Sequence, residues 1–157
     1  MHATHQRGAV AEAAIALAAI EAGVGVFKPV QDGERYDLIF DLRPRLVRVQ
    51  CKAASLYGDI VIVRCRSGRR TREGIVMRPY TCDEIDAFAA YCAELDRCFF
   101  LPIERFDRQS AISLRLGPSR NNQRLRVNWA ADFEFAATLS RLQGAVAQLG
   151  ERRAGSA

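Results

Sequence analysis

The chain has 157 residues, 49% hydrophobic and 26% charged, which is one globular domain's worth and excludes a disordered or collagenous protein. Its longest apolar run, Ala13 to Ile20, is far short of a bilayer span, and the N-terminus makes a poor signal peptide, so a cytoplasmic protein without membrane contact is expected. The net charge is +5, from 23 Lys and Arg against 18 acids. Residues 61–82 carry all of that excess: Arg64, Arg66, Arg69, Arg70, Arg72 and Arg78 face only Glu73. Clustering of this kind suits a phosphate backbone, the alternative being a solvated loop. Five cysteines with no CxxC pair argue against a disulfide framework or a zinc site.

In chain order, Gly8 to Gly23 reads as a first helix, rich in Ala and closed by glycine. Val24 to Lys28 is a short strand ended by Pro29. Tyr36 to Leu42 and Leu46 to Lys52 form a hairpin around Arg43-Pro44-Arg45, and Ile60 to Cys65 is a third strand. The Arg-rich segment follows as a loop, with Gly74 to Met77 as another strand. Thr81 and Glu84 have capping-box spacing, and Ile85, Phe88, Ala89 and Cys92 then mark one face of a helix. Cys98 to Leu101 is a buried strand, residues 112–129 mix a strand with a basic loop, and Trp129 to Phe135 is a short helix. These elements predict one α+β domain over residues 1–137 with a largely antiparallel sheet, followed by a disordered tail over 138–157.

The hairpin carries the chemistry. Alternation puts Tyr36, Leu38, Phe40 and Leu42 on one face and Asp37, Ile39 and Asp41 on the other. In the second strand Val47, Val49 and Cys51 oppose Arg48, Gln50 and Lys52. Matching apolar with apolar across a four-residue loop sets Asp37 opposite Gln50, with Cβ atoms roughly 5 Å apart, and Lys52 two residues further on. An acid, an amide and an ammonium so placed can hold a divalent cation and a water beside a phosphodiester. The alternative is a solvated face with a surface ion pair of little worth. Glu12 lies beside the apolar stripe of the first helix, where it needs a partner: a cation on the sheet beneath, or Arg7.

Glu12, the run Tyr36-Asp37-Leu38 and the run Val49-Gln50-Cys51-Lys52 resemble the PD-(D/E)xK nuclease superfamily. The branch most similar is that of group I intron-encoded homing endonucleases, in which Q-x-K replaces E-x-K. The resemblance extends through Tyr80, Asp86-Ala87-Phe88, Tyr91, Phe99 to Pro102 and Asn121-Asn122-Gln123, over roughly residues 7–135. It implies a restriction-endonuclease-like core and a Mg²⁺-dependent DNA endonuclease, with Mn²⁺ able to substitute. Asp37 would be the principal metal ligand, with the Cys51 backbone carbonyl beside it. Glu12 would bind or orient a metal-bound water, Gln50 would replace the second carboxylate, and Lys52 would be the catalytic lysine. Only Lys28 and Lys52 are lysines among 23 basic residues, so an ammonium is retained at Lys52 where a planar guanidinium would not serve.

The expected substrate is double-stranded DNA. Arg64 to Arg78, with Arg115, Arg120, Arg124 and Arg126, would contact it, and Asn121, Asn122 and Gln123 either reach adenine edges or form a turn. One site cuts one strand, so a homodimer or homotetramer is expected. The neutral Gln50 leaves two other readings open: a DNA-binding module that has lost hydrolysis, and a nuclease of junction-resolvase type.

Overall fold

The computed structural model describes residues 2–118 and 126–154. The first helix, α1 (His2–Glu21), starts six residues before the expected Gly8. It turns every fourth side chain, Ala11, Ile15 and Ala19, onto the sheet, and all three are fully buried. Gly23, at φ 76°, ends it: the Gly23 and Val24 amides donate back to Ile20 O and Ala19 O, each at 2.9 Å.

Strands β1 (Gly25–Phe27), β2 (Leu38–Asp41) and β3 (Leu46–Tyr57) form an antiparallel meander. β3 is the axis of the sheet. Its first third pairs with β2, its middle runs parallel to β7 (Ala87–Cys92), and its last third pairs with β4 (Ile60–Arg64). β8 (Arg97–Pro102) is antiparallel to β7, and β9 (Ala111–Arg115) is antiparallel to β4. These seven strands make one sheet, antiparallel except for the β3–β7 pair. β5 (Arg66–Thr71) and β6 (Gly74–Pro79) pair only with each other, as an exposed two-stranded ribbon.

Alternation along these strands builds two cores. Leu38, Phe40, Val47, Val49, Cys51, Ala87, Ala89 and Phe100 face α1 and the C-terminal helix α2 (Phe135–Ala154). There the Phe40, Phe100 and Phe135 rings meet with centroids 6.0–6.3 Å apart. Phe88, Ala90, Cys92, Phe99 and Leu101 face the other way, under β4, β9 and the 3₁₀ turns Ile103–Arg105 and Ala130–Phe133.

Three expectations are corrected. The helix expected from Ile85, Phe88, Ala89 and Cys92 is strand β7. The Thr81 amide does donate to Glu84 Oε2, at 3.2 Å, but only a single turn forms. β7 is buried on both faces, so its apolar run has no solvent side and fits a helical period by accident. The Arg-rich segment is not a loop but the β5–β6 ribbon. The tail expected from residue 138 onward is helical through Ala154, with Phe135 and Leu139 buried against the first core. Residues 119–125, with Arg120, Asn121, Asn122, Gln123 and Arg124, lie outside the described residues, as do 155–157. No described helix is long and apolar enough to cross a membrane.

Candidate active site

The β2–β3 register pairs Leu38 with Val49 and Phe40 with Val47, across a loop of Leu42 to Arg45. Carried one residue outward, it sets Asp37 opposite Gln50, where the Asp37 amide donates to Val49 O at 2.9 Å. One carboxylate oxygen, Asp37 Oδ2, accepts from Gln50 Nε2 at 2.6 Å and from the Cys51 amide at 2.9 Å. The same Gln50 nitrogen lies 3.3 Å from Cys51 O. A carboxylate and a backbone carbonyl therefore converge on one point, filled here by an amide N–H. Burial raises Asp37 above the ordinary carboxylate range; the Cys51 N–H opposes that shift and the Glu12 charge adds to it.

Lys52 lies beyond Gln50 on the same face. Its Nζ reaches to 3.5 Å from Arg66 O and stands 4.8 Å from the centre of the Tyr80 ring. Burial holds this ammonium below the usual lysine value. Glu12, on α1, is half-buried. Its partner is Lys28, the residue after β1, rather than Arg7, which instead reaches Ser55 Oγ at 3.2 Å. Glu12, Lys28, Tyr36 and Asp37 line one cleft of about 200 Å³.

Sequence reasoning missed the support behind Lys52. Arg35 stacks on Tyr80, its guanidinium carbon 3.8 Å from the ring centre. It donates to Ser67 Oγ at 2.5 Å, Pro79 O at 2.8 Å and Glu84 Oε2 at 3.3 Å, and Glu84 also pairs with Arg78. This network fixes the root of the β5–β6 ribbon beside the lysine. The one available signal was weak: Arg35 shares the strand parity of Asp37, as do many arginines elsewhere. Asp86 plays a bracing part. Despite its burial it is held below the usual carboxylate range by Arg48, whose amide donates at 2.8 Å and whose guanidinium donates twice at 3.1 Å.

The donor set suits a hard cation. Asp37, the Cys51 carbonyl, the oxygen end of the Gln50 amide and Glu12 would all offer it oxygen. Among the described residues there is no cluster of three His, Cys, Asp or Glu side chains to hold one by side chains alone. Of the expected DNA contacts, Arg66, Arg69, Arg70, Arg72 and Arg78 stand exposed on the ribbon, and Arg64 is exposed at the end of β4. Arg115 is half-buried on β9.

Residues 2–136 match the family model described as PD-(D/E)XK endonuclease. The structure of a bacterial homing endonuclease, I-Ssp6803I, superposes with a TM-score of 0.71 at 31% identity, covering 91% of this chain and 96% of that one. The structure of MepB overlaps with a TM-score of 0.34 at 15% identity, over 76% of this chain and 80% of its own, which is too remote to inform on the site. No curated protein matches the chain.

Proposed function

The chain belongs to the PD-(D/E)XK endonuclease family and is an endonuclease, and from that premise we propose that it hydrolyses phosphodiester bonds of double-stranded DNA with Mg²⁺, as a homing enzyme of the group I intron-associated type. The observation that carries this reading is the convergence of Asp37, Gln50, the Cys51 carbonyl and Lys52 at one hairpin mouth, with an Arg-rich ribbon rooted beside it. Asp37, Cys51 O, Gln50 and Glu12 would hold the cation. Bound there, it supplies neutralising charge at the phosphate and makes water more acidic.

The chain's own groups do the rest. Lys52, braced by Tyr80, sits where an ammonium can orient a water and stabilise charge growing on the phosphate. Its partial burial favours delivery of that charge at close range, because little solvent screens it. The exposed ribbon has the width of a two-stranded element that enters a major groove, and its arginines neutralise phosphates. Since one site cuts one strand, cutting both requires a homodimer or homotetramer with sites related by two-fold symmetry. Mn²⁺ is expected to replace Mg²⁺.

The test is cleavage of pooled genomic and plasmid DNA with Mg²⁺ or EDTA, by the natural protein and by Lys52→Ala. Metal-dependent cutting that vanishes in the variant supports the reading. Equal cutting by both places the site elsewhere.

A further inference from the structure

Of the chain's 23 cationic residues, 21 are arginine, so the two lysines are exceptions. Both act on the same group: Lys28 and Lys52 each lie near enough to Asp37 to favour its charged form. Lys52 does so from β3. Lys28 does so from the end of edge strand β1, where its ammonium pairs with Glu12 across the cleft that Asp37 lines. The Lys28 side chain is 67% exposed, so it can swing away without disturbing the core.

Three of the four prospective cation ligands, Asp37, Cys51 O and Glu12, already face a protein donor. Gln50 Nε2 and the Cys51 amide occupy Asp37 Oδ2, Gln50 Nε2 also faces Cys51 O, and Lys28 occupies Glu12. We propose that Lys28 is an exchangeable counter-ion: it holds Glu12 in the free enzyme, moves to a DNA phosphate when the duplex enters the cleft, and so releases Glu12 to the divalent cation. This rests on the reading of Asp37 and Glu12 as cation ligands. Lysine suits the exchange because its ammonium is a point charge on a flexible stem, equally content with carboxylate or phosphate. An arginine would grip Glu12 through two parallel hydrogen bonds and release it less readily. Cation and DNA then raise each other's affinity by the same factor, because a coupling between two binding equilibria is reciprocal.

The test is Mn²⁺ binding followed by electron paramagnetic resonance, with protein alone and with a short DNA duplex, whose own Mn²⁺ uptake is subtracted. Without DNA, Lys28→Met should bind Mn²⁺ about fivefold more tightly than the natural protein, the upper range for an exposed ion pair. Lys28→Arg should restore weak binding, and the duplex should tighten the natural protein more than it tightens Lys28→Met. Lys28 is solvent-exposed, so both variants should fold. Equal affinities of the natural protein and Lys28→Met without DNA would overturn the role of Lys28 and leave the cation site standing. Unchanged Mn²⁺ binding by Asp37→Asn, with and without duplex, would remove the cation site itself and this inference with it.

Discussion

Replacing Gln50 with Glu alters the chemistry of one buried contact while keeping its volume. The nitrogen that donates to Asp37 Oδ2 at 2.6 Å becomes a carboxylate oxygen. A hydrogen bond to a charged acceptor is lost, worth about 1.5–3 kcal/mol. Two carboxylates also come into contact, repelling by about 4 kcal/mol at ~4 Å and an effective dielectric near 20. The pair escapes the full sum by sharing a proton. Taking up that proton at about pH 7, from an ordinary glutamate pKa near 4.3, costs about 3.7 kcal/mol and so caps the loss. The expected destabilisation is therefore about 3–4 kcal/mol at neutral pH without metal. The shared proton raises the folded pair above its unfolded value, so the folded state binds more protons and stability recovers as pH falls from about 7 towards 4. A divalent cation should rescue the variant more than the natural protein, because it replaces the proton between the two acids. Urea denaturation at neutral and acidic pH, in EDTA and in Mg²⁺, reads all of this. A variant as stable as the natural protein at neutral pH in EDTA would refute the Gln50–Asp37 contact.

Further outcomes follow from other contacts. Asp37→Asn removes a carboxyl whose pKa is raised chiefly by burial; the natural protein should gain stability as pH falls through that raised value, and the variant should lack this limb in thermal melts. Leu139→Ala in α2 should cost about 2–5 kcal/mol in urea denaturation, whereas no loss would mean that the helix does not pack as described. Arg35→Ala deletes the hydrogen bonds to Ser67, Pro79 and Glu84 and the stacking on Tyr80; a stability loss of about 2–3 kcal/mol and weaker DNA binding are expected, and unchanged binding would disconnect the ribbon root from DNA. Arg69, Arg70 and Arg72 changed together to Gln should leave stability within about 0.5 kcal/mol, because all three are exposed. The log–log salt slope of binding should fall by about 0.9 per phosphate contact removed, so an unchanged slope would take these arginines off the DNA.

The hairpin was legible because its period-two pattern leaves one solution: only one register buries Leu38, Phe40, Val47 and Val49 together, and that register sets Asp37 against Gln50. β7 was not legible, since Phe88 and Ala89 enter different cores and a strand buried on both faces shows no alternation. The last helix did carry a signal: Phe135, Leu139 and Leu142 recur at helical spacing, masked by the Gly- and Ala-rich composition around them. The brace behind Lys52 depends on residues from distant parts of the chain, Arg35, Ser67, Tyr80 and Glu84, and no local pattern joins them. Lysine scarcity singled out Lys28 by type, but only folding could show that it stands beside Glu12.

The ribbon has an evolutionary consequence. β5 and β6 share no ladder with the seven-stranded sheet, and Ile75, Val76 and Met77 are each at least half exposed. Beyond its root, exchanges along it therefore perturb neither the cores nor the hairpin mouth. A lineage carrying this architecture can vary the arm freely under selection for new targets, while the cutting machinery is inherited intact.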